Sequence, residues 1–395
     1  MVYDAIVIGG GPVGSYVAYK LAGMGHQVTV LERKRRIGEA VCCTGIIGQE
    51  CVSSFAIEDN VILRQVNSAK LFPPSGNLLR LWREETQACV LDRAAFDIAM
   101  ANRAQVNGAE YILDSQVNHI EVEEDRVKIG AIHQKAGLNL EARAVVVATG
   151  FGSKLAERLG LGNFGDFAIG GHTEVATTEV DEVEVYFGRE VAPGFFGWLV
   201  PTSPRMARVG LLSRHNPELY LRRLLASLVA QGKIVSTETK LSYGGIPLKP
   251  LVKTYGDRLI VVGDAAGQVK PTSGGGIYYG LLCADIAADT LHQALQRDDL
   301  SAKSLAKYER EWRRKLGREL KIGYWARKLF ERLSDNQIDR IFNIIKANGI
   351  DEDLLKAREL SFDWHGQAIL MLLGRTVISK ALGVIKLPFQ AGKDI

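Results

Sequence analysis

The sequence has no run of about 18 uncharged apolar residues, the length a membrane-spanning helix needs. Its most apolar C-terminal stretch is broken by Arg375, Lys380 and Lys386. Nothing in it is expected to cross a bilayer. Behind Met1 there is no basic segment and no small-residue cleavage pattern, because the chain enters the apolar run 5–8 directly; no secretion leader is read. Cysteine is scarce: Cys42, Cys43, Cys51, Cys89 and Cys283 are five in 395 residues. An odd number in a long chain argues against a disulfide framework and for reduced thiols in a cytoplasmic protein. Neither a Ser-His-Asp set nor a metal-like cluster of His and Cys can be assembled from the pattern, which turns attention away from acyl transfer and metal chemistry. The net charge of +4 is too small to imply a nucleic-acid partner. The excess is local, since residues 303–332 hold eleven Lys or Arg against four Asp or Glu, 11 − 4 = +7.

What is present is a globular composition, 47% apolar and 24% charged, in a chain long enough for two or three packed units. Residues 3–8 form a short β-branched run, Gly9-Gly10-Gly11-Pro12-Val13-Gly14 follows, residues 15–25 read as helix, and a second apolar run covers 27–31. This order is strand, tight turn, helix, strand. In such a unit Gly9 permits the turn, Gly11 lets the backbone approach a pyrophosphate, and Gly14 lets helix and strand pack closely. The helix start, with Pro12, offers free N–H groups and a positive dipole end to phosphate. Glu32 closes the second strand at the spacing of a ribose carboxylate, which suits the adenosine half of FAD or NAD better than NADP.

A second signal separates flavin from nicotinamide. Residues 258–267 run as a strand into Gly263-Asp264-Ala265-Ala266-Gly267, which resembles the second FAD fingerprint of flavoproteins with the para-hydroxybenzoate hydroxylase type of fold. By that resemblance Asp264 holds the ribityl chain and the next helix points its N-terminus at the flavin. Further landmarks fall in that family's order: Glu32-Arg33, then Arg93 within Leu91-Asp92-Arg93, then Ala148-Thr149-Gly150. The resemblance implies that Arg93 reaches the cofactor and that Ala148, Thr149 and Gly150 pass beneath its adenosine end. Read bare, Arg93 could instead start a helix and pair with Asp97 one turn on.

Within this group the segment 263–280, with Lys270-Pro271 and then Gly274-Gly275-Gly276-Ile277, is similar to the geranylgeranyl reductase family. So are the aromatic stretch running from Tyr186 through Pro193, Gly194, Phe195, Phe196 and Trp198 to Pro201, and the turn Cys43-Thr44-Gly45. Many archaeal members place a Cys-Gly pair at that turn, and Thr44 departs from it. The resemblance implies FAD as cofactor, facing Gly45, Gly263, Gly274, Gly275, Gly276 and Ile277. It also implies an isoprenoid substrate lying against Tyr186, Pro193, Gly194, Phe195, Phe196, Trp198 and Pro271. Three adjacent glycines at a helix entrance leave room for a flavin ring and a slender chain above it. Burial of apolar surface, about 25 cal/mol per Å², drives such binding; the same aromatics could equally be plain sheet core.

Reducing an isolated double bond needs a hydride for one carbon and a proton for the other, so little acid–base machinery is required. Cys43, Tyr186, His172 and Tyr243 are the candidate proton donors. NAD(P)H or a ferredoxin is the candidate electron donor. The basic stretch, with Arg313, Arg314, Lys315 and Arg318, and the apolar tail, with Leu372, Leu373, Val377 and Ile378, read either as a peripheral contact with the inner membrane face or as a solvated helix beside a core helix. Two rival readings share the site: a flavin-dependent halogenase or monooxygenase, and a flavin electron carrier or redox sensor.

The expected fold is α/β, α+β overall. A Rossmann-type FAD-binding domain (1–55, 85–160, 245–300) would hold an inserted antiparallel β-sheet domain (56–84, 161–244), followed by a C-terminal helical region (301–395).

Overall fold

The computed structural model describes residues 2–356 and 361–374. Val2–Ile8 sits in the middle of an eight-stranded sheet, parallel on one side to Ala136–Val147 and on the other to Val28–Leu31. Leu259–Val261 and Glu110–Ile112 extend the parallel core outward. These strands are covered on both faces, which is why residues 5–8 and 144–147 are continuous apolar runs and not alternating ones. The hairpin Ser115–Val122 and Val127–His133 adds antiparallel strands along Ala136–Val147.

The helices Pro12–Gly23, Arg93–Val106 and Ile277–Arg297 pack together in the largest core cluster. The first has proline in its opening turn, where the lost N–H costs nothing. The second is capped by Asp92, whose carboxylate accepts the N–H groups of Ala94 at 3.1 Å and Ala95 at 3.0 Å.

The second layer is a seven-stranded sheet in the order Ser242–Pro247, Phe167–Ala176, Met206–Ser213, Phe196–Ser203, Val183–Phe187, Ser68–Phe72, Leu79–Trp82. An antiparallel sheet is the expectation from the sequence, but one pairing departs from it: Val183–Phe187 and Ser68–Phe72 run parallel. Two separate excursions of the chain meet there, and no hairpin fixes their direction. The strand Ile62–Val66 leaves this group for a small third sheet with Ala88–Leu91 and Ile46–Gly48. Helix Pro217–Ala230 covers the second sheet through Leu221, Leu224, Leu225 and Leu228.

The chain then forms Ala302–Phe330, a 29-residue helix that buries Leu305, Tyr308, Trp312 and Leu316 in the core cluster of the first sheet and its helices. Asp335–Ala347, Ile350–Lys356 and Gly366–Gly374 follow. Much of the basic surplus is satisfied internally: Arg313 pairs with Glu309 at 2.9 Å and Arg314 with Glu311 at 2.8 Å. Leu372 packs against the cluster of Leu79, Ile345 and Ile350. The Leu373 side chain and residues Val377 and Ile378 lie outside the described part. Among the described residues no helix is long and apolar enough to cross a membrane.

Candidate flavin and substrate site

A cavity of about 1340 Å³ lies between the two large sheets and the C-terminal helices. At one end it meets the glycine turn. Gly9 has φ of +111°, and a side chain there would run into the Ala148 carbonyl; one on Gly14 would run into the Gly9 carbonyl. Gly11 is different, since nothing lies within 4 Å of where its Cβ would be. The turn is closed by two glycines and left open by the third, on the side that faces the cavity. The Glu32 carboxylate is held there by the N–H groups of Gly10 at 2.7 Å and Lys34 at 2.9 Å. Pro12, Arg33, Ala148, Thr149 and Gly150 line the same end, and the buried Thr149 hydroxyl has no protein partner. An open backbone cradle, a fixed carboxylate and an orphaned hydroxyl fit the adenosine diphosphate portion of FAD.

The middle of the cavity meets Gly263, Asp264 and the run Gly274, Gly275, Gly276, Ile277 at the start of helix Ile277–Arg297. A side chain on Gly276 would collide with the Asp264 carboxylate. Burial pushes the Asp264 carboxyl up to about 6, against the pull of the Arg93 charge. Arg93 lines the cavity and donates to Asp97 at 2.6 Å, the helix-start pairing that the bare sequence allows. Burial opposes its charge, yet the neighbouring Cys43 thiol and Asp97 carboxylate hold its pKa above the ordinary arginine value. Its Nε has no partner.

Cys43 lines the cavity in the turn that ends at Gly45, whose N–H reaches the thiol at 3.4 Å. Gly45 has φ of +76°, and a Cβ there would meet the Arg93 side chain at 2.8 Å. Arg208 fixes the turn from behind, donating to the Thr44 carbonyl at 2.7 Å and to that of Leu91 at 2.8 Å.

The roof comes from the second sheet by strict alternation. Val183, Val185 and Phe187 face the cavity from one strand, Phe196, Trp198 and Val200 from the next. His172 faces it across Gly210, which pairs with His172 on one side and Trp198 on the other. Both His172 Nδ1 and Trp198 Nε1 are buried without a partner. Burial and the Arg208 charge lower the His172 pKa below its usual value.

Tyr186 is not in this roof. It stands on the same strand as Phe187 but in the opposite phase, where its hydroxyl donates to Glu184 and accepts from Lys233 at 2.9 Å, and its ring stacks on Phe72 at 5.1 Å. Burial and the Glu184 carboxylate drive its pKa up. Phe195 precedes the strand and is buried in the core behind it, beside Arg327 and Arg214. Pro193 and Gly194 lie in the adjoining loop, and Pro271 packs against Gly323, so none of these four reaches the cavity wall. Tyr243 lies outside it as well, 40% exposed on the edge strand.

Several lining residues carry no local signal. Phe362, His365 and Ile369 close the cavity from the C-terminal segment, and Ala326, Arg327 and Phe330 from the long helix. Lys270 anchors that segment through a buried ion pair with Asp363 at 2.8 Å. His365 contacts the Thr272 hydroxyl at 2.6 Å, and burial beside Lys270 drops its pKa to about 4. Among the described residues no group of three or more His, Cys, Asp or Glu side chains is placed to hold a metal ion.

The profile of the pyridine nucleotide-disulphide oxidoreductase family matches residues 3–180. The digeranylgeranylglycerophospholipid reductase of Methanocaldococcus jannaschii is 31% identical over 368 residues, 89% of this chain and 93% of its own. The chain belongs to the geranylgeranyl reductase family. It is an FAD-dependent oxidoreductase. Digeranylgeranylglycerophospholipid reductase 2 of Methanopyrus kandleri is 29% identical, over 90% and 92% of the two chains. A geranylgeranyl bacteriochlorophyll reductase-like protein from Thermoplasma acidophilum shares the fold, with a TM-score of 0.84 at 24% identity, covering 96% of this chain and 98% of its own. A flavin-dependent brominase follows at 0.67 and 17%, covering 94% and 98%. The halogenases keep the family fold at greater distance.

Proposed function

We propose that this reductase saturates isolated C=C bonds of a geranylgeranyl or longer polyprenyl chain attached to a lipid, quinone or pigment precursor. The observation that carries this is the cavity roof: six apolar or aromatic side chains in register on adjacent strands, Val183, Val185, Phe187, Phe196, Trp198 and Val200, running over the flavin loop. Such a wall selects a slender hydrocarbon by burial and keeps water from the reacting carbons. Reduced FAD supplies the hydride.

The chain's own residues bind, orient and protonate. Cys43 and His172 are the candidate proton donors that face the cavity, and Tyr186, on the far side of its strand, drops out of that role. Substituting each in turn separates them: the donor's removal lowers flavin reoxidation by bound lipid at least tenfold and leaves flavin content intact. Electrons enter from NAD(P)H or a ferredoxin, and the enzyme meets its lipid at the inner face of the membrane as a peripheral protein.

The test is anaerobic. Dithionite-reduced enzyme is mixed with geranylgeranyl lipids, and reoxidation is followed with mass spectrometry of the product. A gain of two mass units per double bond is the expected result. Flavin that stays reduced until oxygen enters, then consumes it with halide or an aromatic substrate, would overturn the reading in favour of a halogenase or monooxygenase.

A further inference from the structure

One residue beside the apolar wall carries a full charge. Arg327 is 4% exposed, and its guanidinium is sandwiched between Phe195 at 4.5 Å and Phe330 at 4.7 Å. Nη2 donates to the Gly194 carbonyl, while Nε is buried with no hydrogen-bond partner. The nearest carboxylate oxygen, on Glu331, is 3.9 Å away, beyond hydrogen-bond reach.

Glu331 is engaged elsewhere. Arg214 binds it at 2.9 and 3.2 Å, and Lys328 lies at 3.8 Å. Asp166, the other acid in the cluster, takes Arg214, Lys328 and the Tyr324 hydroxyl. Those partners hold its carboxyl down at about 2 despite burial. Three cations, Arg214, Arg327 and Lys328, face two carboxylates, 3 − 2 = +1. The cation left without a hydrogen-bonded carboxylate is the one that lines the cavity. Burial lowers the Arg327 pKa only to about 10, so the charge persists at neutral pH. A buried charge whose nearest carboxylate is shared with two other cations and out of hydrogen-bond reach is incompletely compensated, and a site that tolerates one is set to receive further opposite charge.

Arg327 belongs to the substrate end and not to the nucleotide turn. Its neighbours Ala326 and Phe330 line the apolar wall, and Phe330 meets Phe187, which meets Phe196. One turn earlier on the same helix, Gly323 packs against Pro271 and Thr272 of the flavin loop. We propose that Arg327 binds the phosphate-bearing end of the prenyl substrate, pairing it with the guanidinium beside the apolar wall. This rests on the prenyl reading above and adds the charge of the head group to it. The phosphate is either the head group of a glycerophospholipid or that of a free prenyl diphosphate.

Binding is measured by calorimetry on the oxidised holoenzyme with geranylgeranyl diphosphate, a digeranylgeranyl glycerophospholipid and neutral geranylgeraniol, so that it does not depend on turnover. The wild type is expected to bind at least one phosphate-bearing ligand about tenfold or more tighter than the alcohol, the scale of one charge-assisted hydrogen bond. Arg327→Met removes that preference, and Arg327→Lys, which keeps the charge and guards against a folding artefact, retains part of it. Which phosphate ligand shows the preference identifies the source. No preference in the wild type, or an undiminished one in Arg327→Met, overturns the proposal. An intact preference with no double bond reduced in any ligand would instead sink the prenyl-reduction reading and leave the anion site standing.

Discussion

Trp198 lies flat across Gly210: a methyl group on Gly210 would stand 2.5 Å from Cζ2 of the indole and 2.6 Å from Cε2. The roof of the cavity is therefore shaped by an absent side chain. Gly210→Ala must move the indole and also the Gly171 carbonyl, which would stand 2.7 Å from the added methyl, so the neighbouring strand carrying His172 shifts with it. Kinetics and thermal melting together should show kcat/KM for lipid falling by about tenfold or more, with a stability loss of about 1–3 kcal/mol and flavin content retained. Full activity in this variant would mean that Trp198 does not shape the substrate's path.

The glycine turn separates cofactor binding from folding. Gly11→Ala adds a methyl into open space and should leave apoprotein stability within about 0.5 kcal/mol while weakening FAD binding, read by flavin fluorescence on titration. Gly14→Ala drives a methyl into the Gly9 carbonyl and should cost several kcal/mol and the flavin as well. If both variants lose stability equally, the Gly11 space is not a ligand space.

Asp264 gives a pH dependence whose sign is fixed by its burial. Its pKa in the folded chain, about 6, lies above the unfolded value, so ionisation in the fold carries a cost that is present above pH 6 and relieved as pH falls through it. Ribityl hydroxyls donating to the carboxylate favour its charged form. FAD should therefore bind more tightly as pH rises from 5 to 7, by up to about tenfold per unit below 6. Asp264→Asn should flatten the dependence. An equally steep slope in that variant would assign the titration to another group.

The Lys270–Asp363 pair ties the C-terminal segment to the flavin loop through two side chains no more than 5% exposed. Lys270→Met strands the Asp363 charge and should cost about 3–5 kcal/mol by urea denaturation. Lys270→Met combined with Asp363→Leu should recover most of that loss. A double variant as unstable as the single one would show that the segment is held by packing and not by charge.

Tyr186→Phe should reduce lipid at the wild-type rate, because its hydroxyl serves Glu184 and Lys233 on the side away from the cavity. A stability loss of about 1 kcal/mol is the expected trace of the missing hydrogen bond. A large fall in kcat with normal stability would return Tyr186 to the reaction.

The parts of this site that could be read from the sequence are those written in a few consecutive residues. Gly9 to Gly14, Glu32 and Gly263–Asp264 announce themselves because a turn, a cap and a strand end are local events. Tyr186 and Phe195 mislead for a physical reason. Whether an aromatic residue points into the channel or into the core is set by strand phase, and phase is fixed by pairing with distant strands. The alternation Val183, Val185, Phe187 was available as a signal, since the opposite phase carries the acid Glu184. Arg327 reaches the cavity through helix packing, and Phe362 and His365 through a turn held by Lys270 and Thr272; the sequence holds no local mark of either. The parallel pairing of Val183–Phe187 with Ser68–Phe72 is invisible for the same reason.

That parallel pairing also covers one edge of the strand Val183–Phe187. A fragment spanning only 161–244 would lack Ser68–Phe72, leaving Val183–Phe187 as a bare edge with unpaired N–H and C=O groups and the apolar row Val183, Val185, Phe187 beside them. Such an edge invites a second copy to supply the missing strand. The earlier strand Ser68–Phe72 thus acts as a guard for this one strand, moving the edge of the sheet outward to Leu79–Trp82 and away from the row that faces the cavity.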